Sequence, residues 1–416
     1  MYSPNSRVVI TGIGVLAPTG NSLPAFWEAS RMGTSGIGRI TLFDVSDFPI
    51  TMAGEVKGFD LNDYMEPDGV TQPKRLARHS LLGLAAAHMA VRNADFDIGQ
   101  LRQAKGLAIQ MGLSTGAIDV IERGKEVLAR KGPTKVSPHI VNASLPHALS
   151  NALAASFGVA CARGTHSSAC PSGMEAVARG AELIHAGKAD MVLAGGADAP
   201  ITPLTMSSLV TCGLALECPL PAEKASRPFD AKRSCGLIAE GGCVLVLERL
   251  DHALDRGAEP LAEILGHGEW GDTPGGVPAD GLATAMRMAL TDAGLLPMDI
   301  DYINAHGPSH PLLDRLEVSR IKEVFGERAY QVPVSSLKGG IGNPFAAAGP
   351  MQIAVTALAI REGIVPPTAN YDFPDPDCDL NVVPNDALPM PLRHCLVNMH
   401  GLGGGNSCMV LGKVGA

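Results

Sequence analysis

Short runs of apolar residues closed by glycine alternate with longer, helix-spaced stretches along this chain. Arg7-Val8-Val9-Ile10-Thr11-Gly12 reads as a buried strand. A helix follows around Leu23 to Met32. Arg75 to Asn93 is so densely apolar that it predicts a helix buried on most sides. Gly106 to Met111 and Lys188 to Ala194 read as strands. A second set repeats the first in kind: strand Leu261 to Leu265, helix Ala283 to Ala293, strand Tyr302 to Ala305 and helix Leu312 to Phe325. Strand Val332 to Ser335, helix Ala346 to Arg361, and strands Leu396 to Met399 and Cys408 to Leu411 complete it. The alternation predicts α/β layers with largely parallel strands. Two similar sets meeting near residue 255 suggest a duplicated unit, with halves 1–255 and 256–416. The proline-rich stretch from Val365 to Pro391 reads as a long surface connection.

Composition narrows this picture. A chain of 416 residues with 48 glycines fits many tight strand–helix turns. Only 18% of residues are charged, below the usual quarter or so, which points to surface buried in an interface such as a dimer's. A net charge of -9 argues against general nucleic-acid binding. Basic clusters persist at Lys74, Arg75 and Arg78, and from Arg123 to Lys135. They read as solvated faces or as a dock for an acidic partner. The 9 cysteines, Cys235 among them, are odd in number and scattered, without a C-x-x-C. That suggests neither a disulfide framework nor a zinc site. No signal-like apolar segment opens the chain and no uncharged run reaches membrane-spanning length. A reducing, cytoplasmic setting is the expectation.

The candidate chemistry centres on Thr165-His166-Ser167-Ser168-Ala169-Cys170-Pro171-Ser172-Gly173-Met174-Glu175-Ala176. A thiol lies among small residues, ahead of a helix running to about Ala186. Pro171 falls where the first helical residue is expected. A helix N-terminus favours negative charge and lowers a thiol pKa, and small neighbours admit an acyl group. Alone, such a cysteine reads more readily as a buried core residue. Three later runs accompany it. His306 ends a strand in Asn304-Ala305-His306-Gly307-Pro308-Ser309-His310. Lys338 enters the glycine-rich loop Ser335-Ser336-Leu337-Lys338-Gly339-Gly340-Ile341-Gly342-Asn343. The run Asn398-Met399-His400-Gly401-Leu402-Gly403-Gly404-Gly405-Asn406 lets backbone approach a substrate and aim N–H groups at it.

In this order these runs strongly resemble the β-ketoacyl-acyl-carrier-protein synthases of the type that elongates fatty acids and polyketides. The resemblance spans nearly the whole chain and includes Gly195-Gly196-Ala197-Asp198, Ser226-Arg227-Pro228-Phe229-Asp230, and Asp314 with Glu317. It implies the thiolase fold, two α-β-α-β-α halves stacked in five layers and paired as a homodimer or a ketosynthase-like heterodimer. It implies that Cys170 takes an acyl chain from a carrier-protein thioester. The backbone N–H groups of Cys170 and Leu402 would form the oxyanion hole. His306 would assist decarboxylation of a malonyl thioester. Lys338 would organise the site, with Glu317 as its charge partner and Asp314 in support. Lys74 and Arg75 match the family's dock for the acyl carrier protein. No bound cofactor or metal is implied, since the phosphopantetheine arm belongs to the carrier protein.

The chain also departs from that pattern. Asn343 stands where elongating enzymes carry a second histidine, giving a Cys-His-Asn set of the kind used by the initiating sister group. Pro308 and His310 replace two threonines that bind the phosphopantetheine arm. Leu402 replaces a phenylalanine gate, and His400 another phenylalanine beside the pocket. His310 is one candidate for the imidazole missing at 343. Because the changes cluster at the site while the scaffold motifs survive, retuned chemistry is expected rather than a dead enzyme. Decarboxylative condensation is the leading expectation. Acyl transfer to an amine, alcohol or other acceptor is the alternative. A non-catalytic partner of a ketosynthase is a third, and the presence of Cys170 argues against it.

Overall fold

The computed structural model describes residues 7–66, 71–104, 106–215, 218–234 and 236–415; Cys235 and the first six residues lie outside them. The first half contributes β1 (Val8–Leu16), helix α1 (Arg78–Asn93), β2 (Leu107–Gly112), helix α2 (Ile118–Lys131), β3 (Ala162–His166), helix α3 (Ser172–His185), β4 (Met191–Asp198) and β5 (Gly241–Arg249). The second contributes β6 (Ala262–Gly271), helix α4 (Leu282–Ala293), β7 (Tyr302–Asn304), helix α5 (Pro311–Phe325), β8 (Val334–Ser335), helix α6 (Ala348–Glu362), β9 (His394–His400) and β10 (Gly405–Gly412).

These strands form one 10-stranded sheet in the order β8-β7-β9-β10-β6-β1-β5-β4-β2-β3. Read outward from the centre, each half follows the same course. In the first, β1 pairs antiparallel with β5, β5 antiparallel with β4, β4 parallel with β2 and β2 parallel with β3. In the second, β6, β10, β9, β7 and β8 repeat those senses in turn. The duplication is therefore visible in topology. The halves join where Val8, Val9 and Ile10 pair antiparallel with Ile264, Glu263 and Ala262.

The sheet folds around α3 and α6, whose apolar side chains share one core with strands of both halves. Helix α1 covers the outer face of the first half, and α4 covers that of the second. Outer helices, strands, central helices, strands and outer helices make the five layers. Helix α6 is buried from Ala348 to Ile360. Its Met351, Ile353, Val355, Leu358 and Ile360 each gain roughly 1.5–3 kcal/mol from leaving water. Glycines set how closely the layers approach. A Cβ on Gly173 in the first turn of α3 would lie 2.0 Å from the Ala346 carbonyl oxygen. That contact presses the loop carrying Asn343 onto the start of α3.

Three expectations need correction. The strands are not largely parallel: β1 pairs antiparallel with β5 and β6, β4 with β5, and β10 with β6 and β9, which is five of the nine pairings in the sheet. The densely apolar helix starts at Arg78 rather than Arg75, because Pro73–Arg75 forms a 3-10 turn and Leu76 is extended. The connection after Val365 is not wholly on the surface. Residues 365–370 are buried, and Thr368 Oγ1 accepts the Ser336 N–H at 3.1 Å behind the site.

Candidate active site

Cys170 sits in the turn between β3 and α3. Ala169 before it takes φ +65°, a region that costs a non-glycine residue of order 1–3 kcal/mol. Ser172 holds the turn. Its Oγ donates to the Ala169 carbonyl at 2.5 Å and accepts the Ser168 N–H at 2.8 Å. Pro171 is the helix cap, not the first helical residue, so Cys170 stands just ahead of the helix end. Burial pushes the thiol up to about 11, against the weaker pulls of the Asn343 amide, Lys338 and the Leu402 N–H. The expected acidified thiol is thus corrected. At that value the thiol rests neutral at pH 7.

The thiol opens into a cavity of about 520 Å³. His306, Pro308, His310, Asn343, His400 and Leu402 line it with Cys170. The Asn343 side-chain nitrogen lies 3.8 Å from Sγ. Its backbone is fixed on both sides: its N–H donates to Leu237 at 2.7 Å and its carbonyl accepts from Ala239 at 3.0 Å. Asp198 anchors the following turn by accepting the Ala346 N–H at 2.9 Å. A Cβ on Gly401 would stand 2.9 Å from the Cys170 nitrogen, so glycine lets the 401–404 loop bring the Leu402 N–H to the sulfur. Leu402 itself is 51% exposed at the cavity mouth.

Behind the cavity lies a buried charge network. Lys338 is 1% exposed. Its Nζ donates to the His306 carbonyl at 2.6 Å and to Gln352 Oε1 at 3.1 Å. Burial brings it down to about 8, opposed chiefly by Glu317. Glu317 accepts the His306 N–H at 2.8 Å and the Gly307 N–H at 2.7 Å. Asp314 accepts the Phe229 and His310 N–H groups at 2.8 and 3.0 Å. None of Lys338, Glu317 and Asp314 lines the cavity. Lys338 and Glu317 hold the backbone at His306 and Gly307, while Asp314 holds it at Phe229 and His310.

His306 is buried, and burial together with Lys338 holds its pKa well below the usual imidazole range. Its Nδ1 lies 3.4 Å from Met399 Sδ. The His400 ring packs against it, centroids 4.2 Å apart. His310 plays a different part. Its Nδ1 accepts the Leu312 and Leu313 N–H groups at 3.2 and 3.4 Å, capping α5. Its Nε2 lies 3.4 Å from the Gly213 carbonyl. With both nitrogens engaged, His310 is not a free imidazole for the site, which corrects that candidate. Lys74 and Arg75 lie apart on an exposed turn, beside a groove they share with Arg123, Lys135 and His139.

Comparison with known proteins places the chain in a family. Residues 5–253 match the family described as Beta-ketoacyl synthase, N-terminal domain, and residues 261–372 match Beta-ketoacyl synthase, C-terminal domain. The chain belongs to the β-ketoacyl synthase family. The synthase is 35% identical over 415 residues to 3-oxoacyl-[acyl-carrier-protein] synthase 2 of Staphylococcus aureus strain COL, covering 99% of both chains. It is also 35% identical over 415 residues to the Coxiella burnetii protein of the same name, covering 98% of this chain and 99% of that one. Among solved structures, the ishigamide ketosynthase/chain length factor matches with a TM-score of 0.91 at 32% identity, over 98% of this chain and 99% of that one. A type II PKS acyl-carrier protein in complex with its ketosynthase, bound to the hexaketide, matches with a TM-score of 0.88 at 30% identity, again over 98% and 99%.

Two residues of the synthase's site went unread in the sequence. Gln352 donates to the Ala305 carbonyl at 2.9 Å and receives Lys338. The signal was a polar residue inside an otherwise apolar helix, which burial obliges to find partners. Met399 reads as an ordinary strand residue, and only the packing reveals its contact with His306.

Proposed function

We propose that this β-ketoacyl synthase is acylated on Cys170 and then condenses the acyl group with a malonyl-type thioester, in fatty-acid or polyketide-like biosynthesis. Its substrates ride on the phosphopantetheine of an acyl carrier protein. The observation that carries this reading is the thiol held in one cavity with His306 and Asn343, with the Leu402 N–H at its sulfur.

In the first half-reaction Cys170 Sγ attacks the acyl thioester carbonyl. The N–H groups of Cys170 and Leu402 receive the oxyanion, an interaction typically worth about 3–4 kcal/mol per donor. The carrier thiol leaves and the acyl group stays on sulfur. In the second, the malonyl carboxylate departs as carbon dioxide and its electron pair forms an enolate beside His306 and Asn343. The enolate carbon attacks the acyl–Cys170 carbonyl. The C–S bond breaks, and Cys170 takes back a proton. Asn343 donates a hydrogen bond but carries no proton, so any proton transfer falls to imidazole. Lys338, Glu317 and Asp314 act by position and charge.

We assign the nucleophile to a first half of residues 1–255 and His306, Lys338 and Asn343 to a second half of 256–416. We also propose docking of the acidic carrier protein at Lys74 and Arg75, pairing with a like or related subunit, and a cytoplasmic location. Pairing is supported by β3 standing at the sheet edge and by exposed Ile121 and Leu128 on α2, a helix with no buried residue. A reducing compartment is supported by the eight described cysteines being free. No helix among the described residues is long and apolar enough to cross a membrane.

One observation favours a second reading, acyl transfer to an amine or alcohol. Pro308 has no hydroxyl or N–H, and both His310 nitrogens are engaged. The arm of a second carrier-bound substrate therefore finds little to hold it there. Intact-mass analysis after incubation with acyl-carrier protein tests the shared first step. One acyl adduct is expected, lost in Cys170→Ala; an adduct that survives in that variant overturns the assignment.

A further inference from the structure

A second imidazole is present at the reacting centre, supplied by a different element from the one that lacks it. His400 ends β9, directly ahead of the loop that carries the Leu402 N–H. It lines the same cavity as Cys170, His306 and Asn343. Its ring lies 4.2 Å from that of His306, tilted 57°. It is buried at 4% exposure, and its Nε2 has no hydrogen-bond partner among the described residues. A buried polar nitrogen left unpaired keeps the cost of leaving water uncompensated. Such a cost persists most readily where a ligand completes the bond. His310, by contrast, has both nitrogens engaged, Nδ1 in capping α5 and Nε2 with the Gly213 carbonyl.

We propose that His400 is a catalytic residue, a transposed partner of His306 that hydrogen-bonds the thioester oxygen of the malonyl-type substrate as the enolate forms. This rests on the condensation reading above. At position 343 only an amide remains. An imidazole entering from β9 restores a second ring donor without moving the scaffold. Burial and Lys338 bring His400 down to about 3, so the ring is neutral and carries one N–H. A neutral donor stabilises the developing oxyanion without needing a proton from solvent. No bond to His400 forms or breaks. The C–C bond to the carboxylate breaks, its electron pair enters the enolate, and the oxygen receives the hydrogen bond.

The test uses malonyl-carrier protein labelled in the carboxylate, with Cys170 acylation read separately by mass. His400→Phe is expected to keep Cys170 acylation within about threefold and to lose about 100-fold in carbon dioxide release, the range for one lost oxyanion donor. His400→Gln, which retains an N–H, is expected to recover to within about tenfold of the wild-type rate. The double exchange His400→Phe with Asn343→His is expected to recover decarboxylation as well. If wild-type enzyme decarboxylates and His400→Phe does so within twofold, the proposal is overturned while condensation stands. If His400→Phe loses acylation and decarboxylation in equal measure, His400 is structural and the proposal fails. Wild-type enzyme that acylates but releases no carbon dioxide overturns the condensation reading, and this proposal with it.

Discussion

At the scale of single residues, burial dominates the chemistry. Because the Cys170 thiol sits at about 11 rather than 9, little thiolate exists at neutral pH. Alkylation by iodoacetamide proceeds through thiolate, so its rate should climb about tenfold per pH unit up to about pH 10. A plateau near pH 7 would mean an acidified thiol instead. The buried histidines act on stability. His79 is held near 4 and His400 near 3, both by burial. Their folded pKa values lie below the unfolded 6.5, so the unfolded chain binds more protons between those limits. Stability is then complete above about pH 6.5 and falls as pH drops below it, by about 2 kcal/mol per histidine at pH 5. Thermal unfolding at pH 7 and pH 5 checks the sign, with the lower melting temperature expected at pH 5.

At the scale of elements, the site depends on close approach between the start of α3 and the loop ahead of α6. Gly173→Ala places a methyl against the Ala346 carbonyl. A loss of about 1–3 kcal/mol is expected from such overpacking, together with slower Cys170 acylation; denaturant unfolding and acylation rates measure the two. Gly401→Ala should slow acylation, because its methyl presses on Pro171 and the Cys170 backbone and displaces the Leu402 N–H. Which elements could be read from the chain follows the same physics. Strands buried on both faces, such as β1 and β4, show as continuous apolar runs. Strand β3, Ala-Arg-Gly-Thr-His, escapes because it is a partly exposed edge without an apolar run. Strand β5 opens with two glycines at close contacts, ahead of the apolar run Cys243 to Leu247. The residues of the charge network were legible as a family pattern, but their division of labour was not. Lys338 and Glu317 hold backbone groups of His306 and Gly307, and sequence gives no direction to a side chain. Nor could it tell which of His310 and His400 remains free, since that turns on a helix cap.

At the scale of the whole molecule, the duplicated sheet brings chemistry from both halves to one place. β3 and α3 present the thiol, β7 presents His306, and β9 with its loop presents His400 and Leu402. The proposed carrier-protein surface lies apart, at Lys74 and Arg75. Reversing both charges with Lys74→Glu and Arg75→Glu should raise KM for acyl-carrier protein about tenfold or more. Rates with a small acyl-pantetheine thioester should not change; equal losses with both substrates would remove the docking role. The central claim is that the acyl group on Cys170 receives two carbons from a decarboxylated malonyl unit. The most direct measurement follows labelled carbon dioxide and product together, using acyl-loaded enzyme and carboxyl-labelled malonyl-carrier protein. The expected result is one carbon dioxide released per β-ketoacyl product two carbons longer, with both absent in Cys170→Ala. An acyl group that leaves Cys170 for another acceptor without carbon dioxide release contradicts it.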